Sequence, residues 1–394
     1  MGSANDILCL NCGSSSLKYA RYAPGDEDEV LRDRGSVEGI GLGAAGLELR
    51  DERGTVRSSA RDGAADHGEA LRLLLDALEE TGPLRIAAVG HRVVHGGPER
   101  TGPARIDADL IDELRGRIPL APLHLPPEIR MIEATAARWP GLPQAACFDT
   151  AFHRRMPELA QRLPLPRELF DEGLRRYGYH GLSYESILQA LGSDARGRVI
   201  MAHLGSGSSL AATRDGRPID TTMGFTPTGG VMMATRSGDL DPGVLLHLLG
   251  RPGWDAERVA RLVEREAGLL GVSGRTADMR RLLALRKGDP HADQAVRAFC
   301  RSVRMAIGAL AAELGGLDLL VFTGGIGENA PEVRREICEG LAHLGIDAAD
   351  GAPGPSASRP GARVRVVPSD ENRMIARQTR SLLRRADAPP IGAG

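Results

Sequence analysis

Lysine is nearly missing from this 394-residue chain: Lys18 and Lys287 stand against 48 arginines. Such a bias reflects the base composition of the coding DNA, and it makes a retained lysine worth inspecting, because a compact ammonium and a planar guanidinium are not interchangeable. Net charge is also small, at −2, so the electrostatic footprint of a nucleic-acid or anionic-membrane binder is absent. No apolar run reaches the ~18 residues of a membrane-spanning helix. The opening stretch MGSANDILCL has no basic segment leading into a long apolar one, so no secretory signal is expected. Five cysteines, an odd number in a long chain, do not make a disulfide framework. A reduced, cytoplasmic protein is expected.

What is present reads as a globular protein. Hydrophobic residues make up 42% and charged residues 26%, and the length allows two domains. ILCLNCGSSSLKYARY, residues 7–22, is a strand, a Gly/Ser turn and a returning strand that carries Lys18. About 190 residues on, VIMAHLGSGSSLAATRDGRPID repeats that pattern and continues into Asp215-Gly216, a strong hairpin dipeptide. HGEALRLLLDALEETG has helical periodicity and closes on Gly82. LRIAAVGHRVVHGG and AACFDTAFH are buried strands, with helical stretches at 107–118 and 127–138 between them. Helices dominate 241–314. LDLLVFTGGIGENAPEVRREICEGL is a strand, a Gly loop and a helix with Pro331 in its first turn. Residues 350–362 read as a loop, RVRVVPS as a final strand, RMIARQTRSLLRR as a helix and ADAPPIGAG as a frayed tail. The expectation is two related α/β domains facing each other across a cleft.

A Gly/Ser turn offers close backbone approach, free N–H groups and hydroxyls, which suits phosphate oxygens. One copy alone is more often a plain hairpin; two copies in matching contexts reverse that weighing. No Walker A pattern occurs, and the turn leads into a strand rather than a helix. Gly325-x-Gly327-x-x-Ala330 resembles a dinucleotide fingerprint but lacks a second βαβ unit, and GLGAAG at 41–46 opens no helix. Cys9-x-x-Cys12 lies within and just after a strand, so its residues face opposite sides. His91 and His95 would be ~13 Å apart on a strand, too far for one zinc. Arg92, Asp149, His180, Arg236 and Glu371 stand at element ends before loops. Singly, each would serve as an ion-pair or capping residue. Two arginines, two carboxylates and two phosphate-type turns together suit phosphoryl transfer, with positive charge around the phosphoryl group and carboxylates for Mg²⁺.

The motifs LNCGSSSLKY, GHRVVHGG, LAPLH, FDTAFH, GYHGLS, HLGSGSS, TPTGGVMMATRSGDLDPG, GVSGRTADMR, TGGIGEN and DENRMIAR occur in an order that resembles the acetate kinase family, from residue 7 to about 380. The resemblance implies two duplicated ribonuclease-H-like α/β domains of the actin/Hsp70/sugar-kinase type around a central cleft: residues 1–150 with 372–394 on the carboxylate side, and 151–371 on the nucleotide side. It implies ATP-dependent phosphorylation of acetate to acetyl phosphate, Mg²⁺ (or Mn²⁺ in its place), and a homodimer. Asn11 and Glu371 would hold the metal, with Ser14, Ser16 and Lys18 near the phosphates. Arg92 and Arg236 would flank the transferring phosphoryl group, Asp149 would orient the carboxylate and the metal, and His180 would hydrogen-bond the transition state with His124 behind it. Nucleotide contacts would come from His203, Leu204, Gly205, Ser206 and Gly207, from Asp278, Met279 and Arg280, and from Gly325, Ile326, Gly327, Glu328 and Asn329. Val94, Leu123, Tyr179 and Pro227 would receive the methyl group.

Departures from the usual pattern gather around the acyl pocket and its supports. LHLPPE stands where relatives usually read LHNPPN, placing Leu125 for Asn. GYHGLSYE replaces GFHGTSH, which changes Tyr179, Leu182 and Tyr184. Ser206 replaces Asn, Thr228-Gly229 an apolar-acidic pair, and Asn372 a second Glu. A buried Tyr179 hydroxyl needs a partner. The rival readings are a propionate or other short-chain carboxylate kinase, a catalytically silent ATP-binding regulator, and an NAD-dependent dehydrogenase built on GGIGENA; the last leaves the duplicated turns unexplained.

Overall fold

The computed structural model describes residues 6–13, 16–26, 28–41, 43, 45–60, 63–346 and 362–386. The expected loop at 350–361, the tail beyond 386, and Ser14 lie outside these residues. The chain divides into two units: 1–152 with 370–394, and 153–369. The division falls between Ser369 and Asp370, so Glu371 belongs to unit 1 and not, as its place in the sequence suggested, to the nucleotide-side segment.

Unit 1 is built on an eight-stranded sheet ordered β5-β4-β3-β2-β1-β6-β8-β7. Its strands are β1 (Asp6–Cys12), β2 (Ser16–Pro24), β3 (Glu29–Glu38), β4 (Gly46–Asp51), β5 (Val56–Ala60), β6 (Ile86–Val93), β7 (Ala104–Arg105) and β8 (Gln144–Phe148). β1, β2 and β3 form an antiparallel meander, while β6 and β8 join β1 in parallel. Fully buried apolar runs such as Ile7–Leu10 explain the central strands, which are covered on both faces. Helix α1 (His67–Glu80), capped by Asp66, buries Ala70, Leu71, Leu74, Leu75 and Leu78 at helical spacing. Helices α2 (Ala108–Gly116) and α3 (Leu125–Arg138) fill the β6–β8 crossover. The C-terminal helix Glu371–Ala386 packs against β1, β6 and β8, burying Ile375, Ala376 and Thr379. Gly90 of β6 permits that approach: a β-carbon there would lie 2.4 Å from Thr379 Oγ1 and 2.5 Å from Ile375.

Unit 2 holds a five-stranded sheet ordered β11-β10-β9-β12-β13. Its strands are β9 (Arg198–Leu204), β10 (Ser208–Arg214), β11 (Arg217–Thr221), β12 (Leu319–Thr323) and β13 (Arg363–Val366). β9–β11 are an antiparallel meander, and β12 and β13 run parallel to β9. This is the order of β3-β2-β1-β6-β8 in unit 1, so the repeat seen in the two Gly/Ser turns extends to the strand topology of both sheets. The Asp215-Gly216 hairpin forms as expected, with φ of 52° and 75° at the two positions. The core gathers on the helix Pro290–Leu314, which buries Val296, Phe299, Cys300, Val303, Ile307 and Leu310; Asp289 caps its start and Gly315, at φ 68°, its end. TGGIGEN, expected as a loop, is itself a short helix, Gly324–Asn329, followed by the helix Pro331–Cys338 with proline in its first turn. The Glu328 carboxylate is the reason: Oε1 accepts from Gly324 N at 2.9 Å and Thr323 Oγ1 at 3.1 Å, satisfying donors at the helix start. Among the described residues no helix is long and apolar enough to cross a membrane.

Candidate active site

In unit 1, β1, β6 and β8 lie side by side in parallel, and the polar residues at their carboxyl ends come together, where open α/β sheets present ligand sites. Arg92, near the end of β6, donates from Nε (3.0 Å) and Nη2 (2.6 Å) to Asp149 Oδ2, just past β8. Arg92 Nη1 donates to Asn11 Oδ1 at 3.2 Å, and Asn11 Nδ2 donates to Glu371 Oε2 at 2.9 Å. The backbone fixes Asp149 through its N–H on Val93 O, 3.0 Å away. Asp149 is only 1% exposed. Burial alone would pull the Arg92 guanidinium down, but Asp149, Glu371 and Glu128 together hold it above its ordinary value. Arg92 is therefore a fixed cation ringed by carboxylates, and Asn11 and Glu371 add oxygen donors from the two ends of the unit's sequence.

Glu128 was not singled out by the sequence. It lies on the buried face of α3, 2% exposed, and its Oε2 accepts from Val94 N at 3.1 Å. Burial pushes its carboxyl up to about 8, against the pull of Arg92 and the Val94 N–H. The only sequence signal was an acid at a core position of LHLPPE, where the apolar period of α3 calls for a hydrophobe.

In unit 2 the hairpin between β9 and β10 is the centre. Gly205 N donates to Gly207 O at 3.1 Å, and Ala234 N donates to Ser206 O at 3.2 Å, tying the turn to the Arg236 loop. That loop is shaped by close backbone packing. Gly230, at φ 92°, lies against Thr222; Gly230 N donates to Asp239 Oδ1 at 2.7 Å, and Asp239 N returns to Gly230 O at 2.8 Å. Arg236 Nη1 donates to Pro227 O at 3.0 Å. His180, buttressed behind Gly178, takes φ 60°, a left-handed conformation that costs a non-glycine residue on the order of 1–3 kcal/mol and persists only where surroundings enforce it. Its ring stacks on His203 with centroids 4.3 Å apart. A β-carbon on Gly207 would stand 3.4 Å from both Arg236 Nη1 and His180 Nε2, and one on Gly205 would stand 3.8 Å from His203 Nε2 and 4.0 Å from Gly325 N. The turn thus faces four nitrogens across space that a side chain would fill, which is the layout of an anion cradle.

The family model for the acetokinase family matches residues 6–377. The chain belongs to the acetokinase family. An acetate kinase of Rhodopseudomonas palustris is 46% identical over 389 residues, covering 94% of this chain and 96% of that protein. Among solved structures, Porphyromonas gingivalis acetate kinase superposes with a TM-score of 0.82 at 36% identity, covering 96% of this chain and 100% of that one. A propionate kinase from Francisella tularensis superposes with a TM-score of 0.85 at 35% identity, over 96% and 99% of the two chains.

Within this chain, the sequence-selected residues sort by unit. Asn11, Ser16, Lys18, Arg92, Val94, Leu123, His124, Asp149 and Glu371 lie in unit 1; Tyr179, His180, His203–Gly207, Pro227, Arg236, Asp278–Arg280 and Gly325–Asn329 lie in unit 2. Asn11, Arg92, Asp149 and Glu371 meet in one network. Lys18 pairs with Asn11 across the β1–β2 ladder but is exposed. His124 opens α3, half-buried. The Tyr179 hydroxyl finds its partner, donating to Phe225 O at 2.8 Å. The Leu204 and Met279 side chains are both buried in the unit 2 core. The Glu328 carboxylate is spent on Gly324 and Thr323, and Asp278 caps the helix Met279–Leu285 through Arg280 N at 2.8 Å. Arg280 extends into solvent. Ser183 and Ser209, which meet the two imidazoles, and Tyr184, which meets Ser209, were not selected as site residues.

Proposed function

We propose that this chain is an acetate kinase, transferring a phosphoryl group reversibly between ATP and acetate to give acetyl phosphate and ADP by direct in-line attack. The observation that carries the reading is the convergence of Arg236 Nη1 and His180 Nε2 on the glycine turn at Gly207. A carboxylate is already ionised at neutral pH, so attack on the γ-phosphoryl group needs no strong base, and catalysis reduces to positioning and charge neutralisation. Arg92, locked to Asp149, holds positive charge at a fixed point for the acceptor and the moving phosphoryl oxygens. Arg236 and His180 donate to the equatorial oxygens from the nucleotide side. The backbone of Gly205, Gly207 and Gly325–Asn329 and the Ser16 and Lys18 side chains serve the remaining phosphates.

Mg²⁺ suits the donors present. Asn11 Oδ1 and the Glu371 and Asp149 carboxylates are all oxygen ligands, and Mg²⁺ takes one or two carboxylates plus phosphates and waters; Mn²⁺ accepts the same set. Among the described residues there is no group of three or more His, Cys, Asp or Glu side chains to hold an ion alone. Asn11 and Glu371 would hold it beside the phosphates. When bound, the ion neutralises charge on the bridging phosphate oxygens.

The 35%-identical propionate kinase supports a second acceptor, since one methylene is worth only ~1–3 kcal/mol of discrimination. A homodimeric, cytoplasmic enzyme completes the reading. The test is acyl phosphate formation, trapped as hydroxamate, from ATP and Mg²⁺ with acetate, propionate, butyrate or no acid. Turnover with acetate or propionate is expected; ATP binding without turnover on any acid would instead identify a silent nucleotide-binding protein.

A further inference from the structure

The His180 imidazole is reached from behind by two hydroxyls. Its Nδ1 lies 2.8 Å from Ser209 Oγ, and Ser209 Oγ lies 2.6 Å from the Tyr184 hydroxyl. The three residues come from separate elements: His180 precedes the helix Gly181–Leu191, Tyr184 lies within it, and Ser209 is on β10. Tyr184 and Ser209 are both fully buried. His203 repeats the device, with Nδ1 2.8 Å from the buried Ser183 hydroxyl. Each of two stacked imidazoles is thus met at Nδ1 by a serine and turns Nε2 toward the 205–207 turn.

We propose that Tyr184 and Ser209 are positioning residues that fix His180 as the tautomer protonated on Nε2, so that it meets the phosphoryl group as a neutral hydrogen-bond donor. The inference rests on the phosphoryl-transfer reading and adds to it the device that sets which His180 nitrogen carries the proton. A serine hydroxyl has one proton to give. If the phenol donates to Ser209, the serine hydroxyl donates in turn to the Nδ1 lone pair, and the ring's one proton sits on Nε2. Reversed, Nδ1–H donates to serine and serine to the phenol oxygen, leaving a bare lone pair on Nε2. That lone pair would face the same point as the Arg236 guanidinium, where phosphate oxygens belong, and would repel them. The phenol is the more acidic hydroxyl of the pair, which favours the first direction. Stacking on His203 at 4.3 Å disfavours both rings being charged together, because two imidazoliums at that spacing repel.

The test is long-range ¹⁵N–¹H correlation NMR on histidine-labelled protein, with steady-state kinetics on Tyr184→Phe, Ser209→Ala and Ser209→Thr. The wild type is expected to show His180 protonated on Nε2 and bare on Nδ1. Tyr184→Phe should mix the two tautomers and lower kcat ~10-fold, about one hydrogen bond's worth, with KM for ATP changing less than twofold. Ser209→Ala should do the same, and Ser209→Thr, which keeps the hydroxyl, should retain most of kcat. A wild-type His180 protonated on Nδ1, or a Tyr184→Phe protein with an unchanged tautomer, would overturn the proposal. The NMR readout needs no turnover. A chain that phosphorylates no carboxylate therefore counts against the proposed function, while the tautomer is still read directly.

Discussion

The two Gly/Ser hairpins sit at equivalent strand ends of two sheets with the same order, yet their surroundings differ in kind. Beside the β1–β2 turn stands an ionic network: Arg92, Asp149, Glu371 and the Asn11 amide, each holding the next. Beside the β9–β10 turn stand stacked imidazoles on serine hydroxyls and an arginine resting on a backbone carbonyl. The turns themselves differ by one residue: Cys12 pairs with Leu17 across the first, whereas Leu204 pairs with Ser208 across the second. A shared scaffold therefore fixes where polar groups gather, but not how their charge is balanced. A cation among carboxylates is costly to break, whereas separately held donors around glycine can be altered one at a time.

The largest expected effect tests that asymmetry directly. Arg92→Ala and Arg236→Ala should each lower kcat on the order of 10³-fold, as loss of an arginine at a transferring phosphoryl group does. Only Arg92→Ala should also destabilise the fold strongly, by about 3–5 kcal/mol, because it strands the buried Asp149 carboxylate. Kinetics paired with thermal unfolding separates the two; near-wild-type turnover in both variants would discredit the site assignment. Next, Gly207→Ala places a methyl group 3.4 Å from Arg236 and His180; calorimetry should show ATP affinity reduced ~10-fold, the loss of one good hydrogen bond.

A smaller effect concerns pH. Folded Glu128 keeps its proton up to about pH 8, while in the unfolded chain it titrates near the ordinary carboxyl value of 4.5. Between those values the folded state binds more protons, so this group's contribution to stability falls as pH rises through the interval. Glu128→Gln retains an acceptor for Val94 N–H and removes the linkage. It should unfold a few degrees higher than wild type at pH 9 and no higher at pH 5; equal shifts at both values would refute the assignment. Smallest, Tyr179→Phe removes the bond to Phe225 O and should cost about 1 kcal/mol in denaturant unfolding.

Much of this was legible in the sequence because its signals are local. Strand, turn and strand could be read at residues 7–22 and again at 199–220, and Asp215-Gly216 announced its own hairpin. The motifs named Arg92, Asp149, Arg236 and Glu371. What stayed hidden depends on tertiary neighbours. The family resemblance paired Asn11 with Glu371 but did not say why they meet: 360 positions apart, they do so because the C-terminal helix returns to β1. Glu128 looks like a surface acid until α3 turns it inward. Leu204 and Met279 sit in nucleotide-like motifs, yet an apolar side chain beside a core is drawn into it. GGIGEN reads as a loop because glycine weakens helices; in the fold the Glu328 carboxylate reaches back to Gly324 N and satisfies a donor at the helix start.

The close fit of Gly90 against Ile375 and Thr379 has a consequence in time. Unit 1 is interrupted by the whole of unit 2, so the helix that seats on Gly90 and brings in Glu371 leaves the ribosome about 220 residues after Phe152. At ~5–20 residues per second that is a delay of roughly 10–40 s. Throughout it, the nascent sheet must keep Cys9, Gly90 and Cys147 from other partners, and Arg92 lacks the acid that completes its ring. The proposed metal site therefore cannot be completed until unit 2 and Glu371 have been translated.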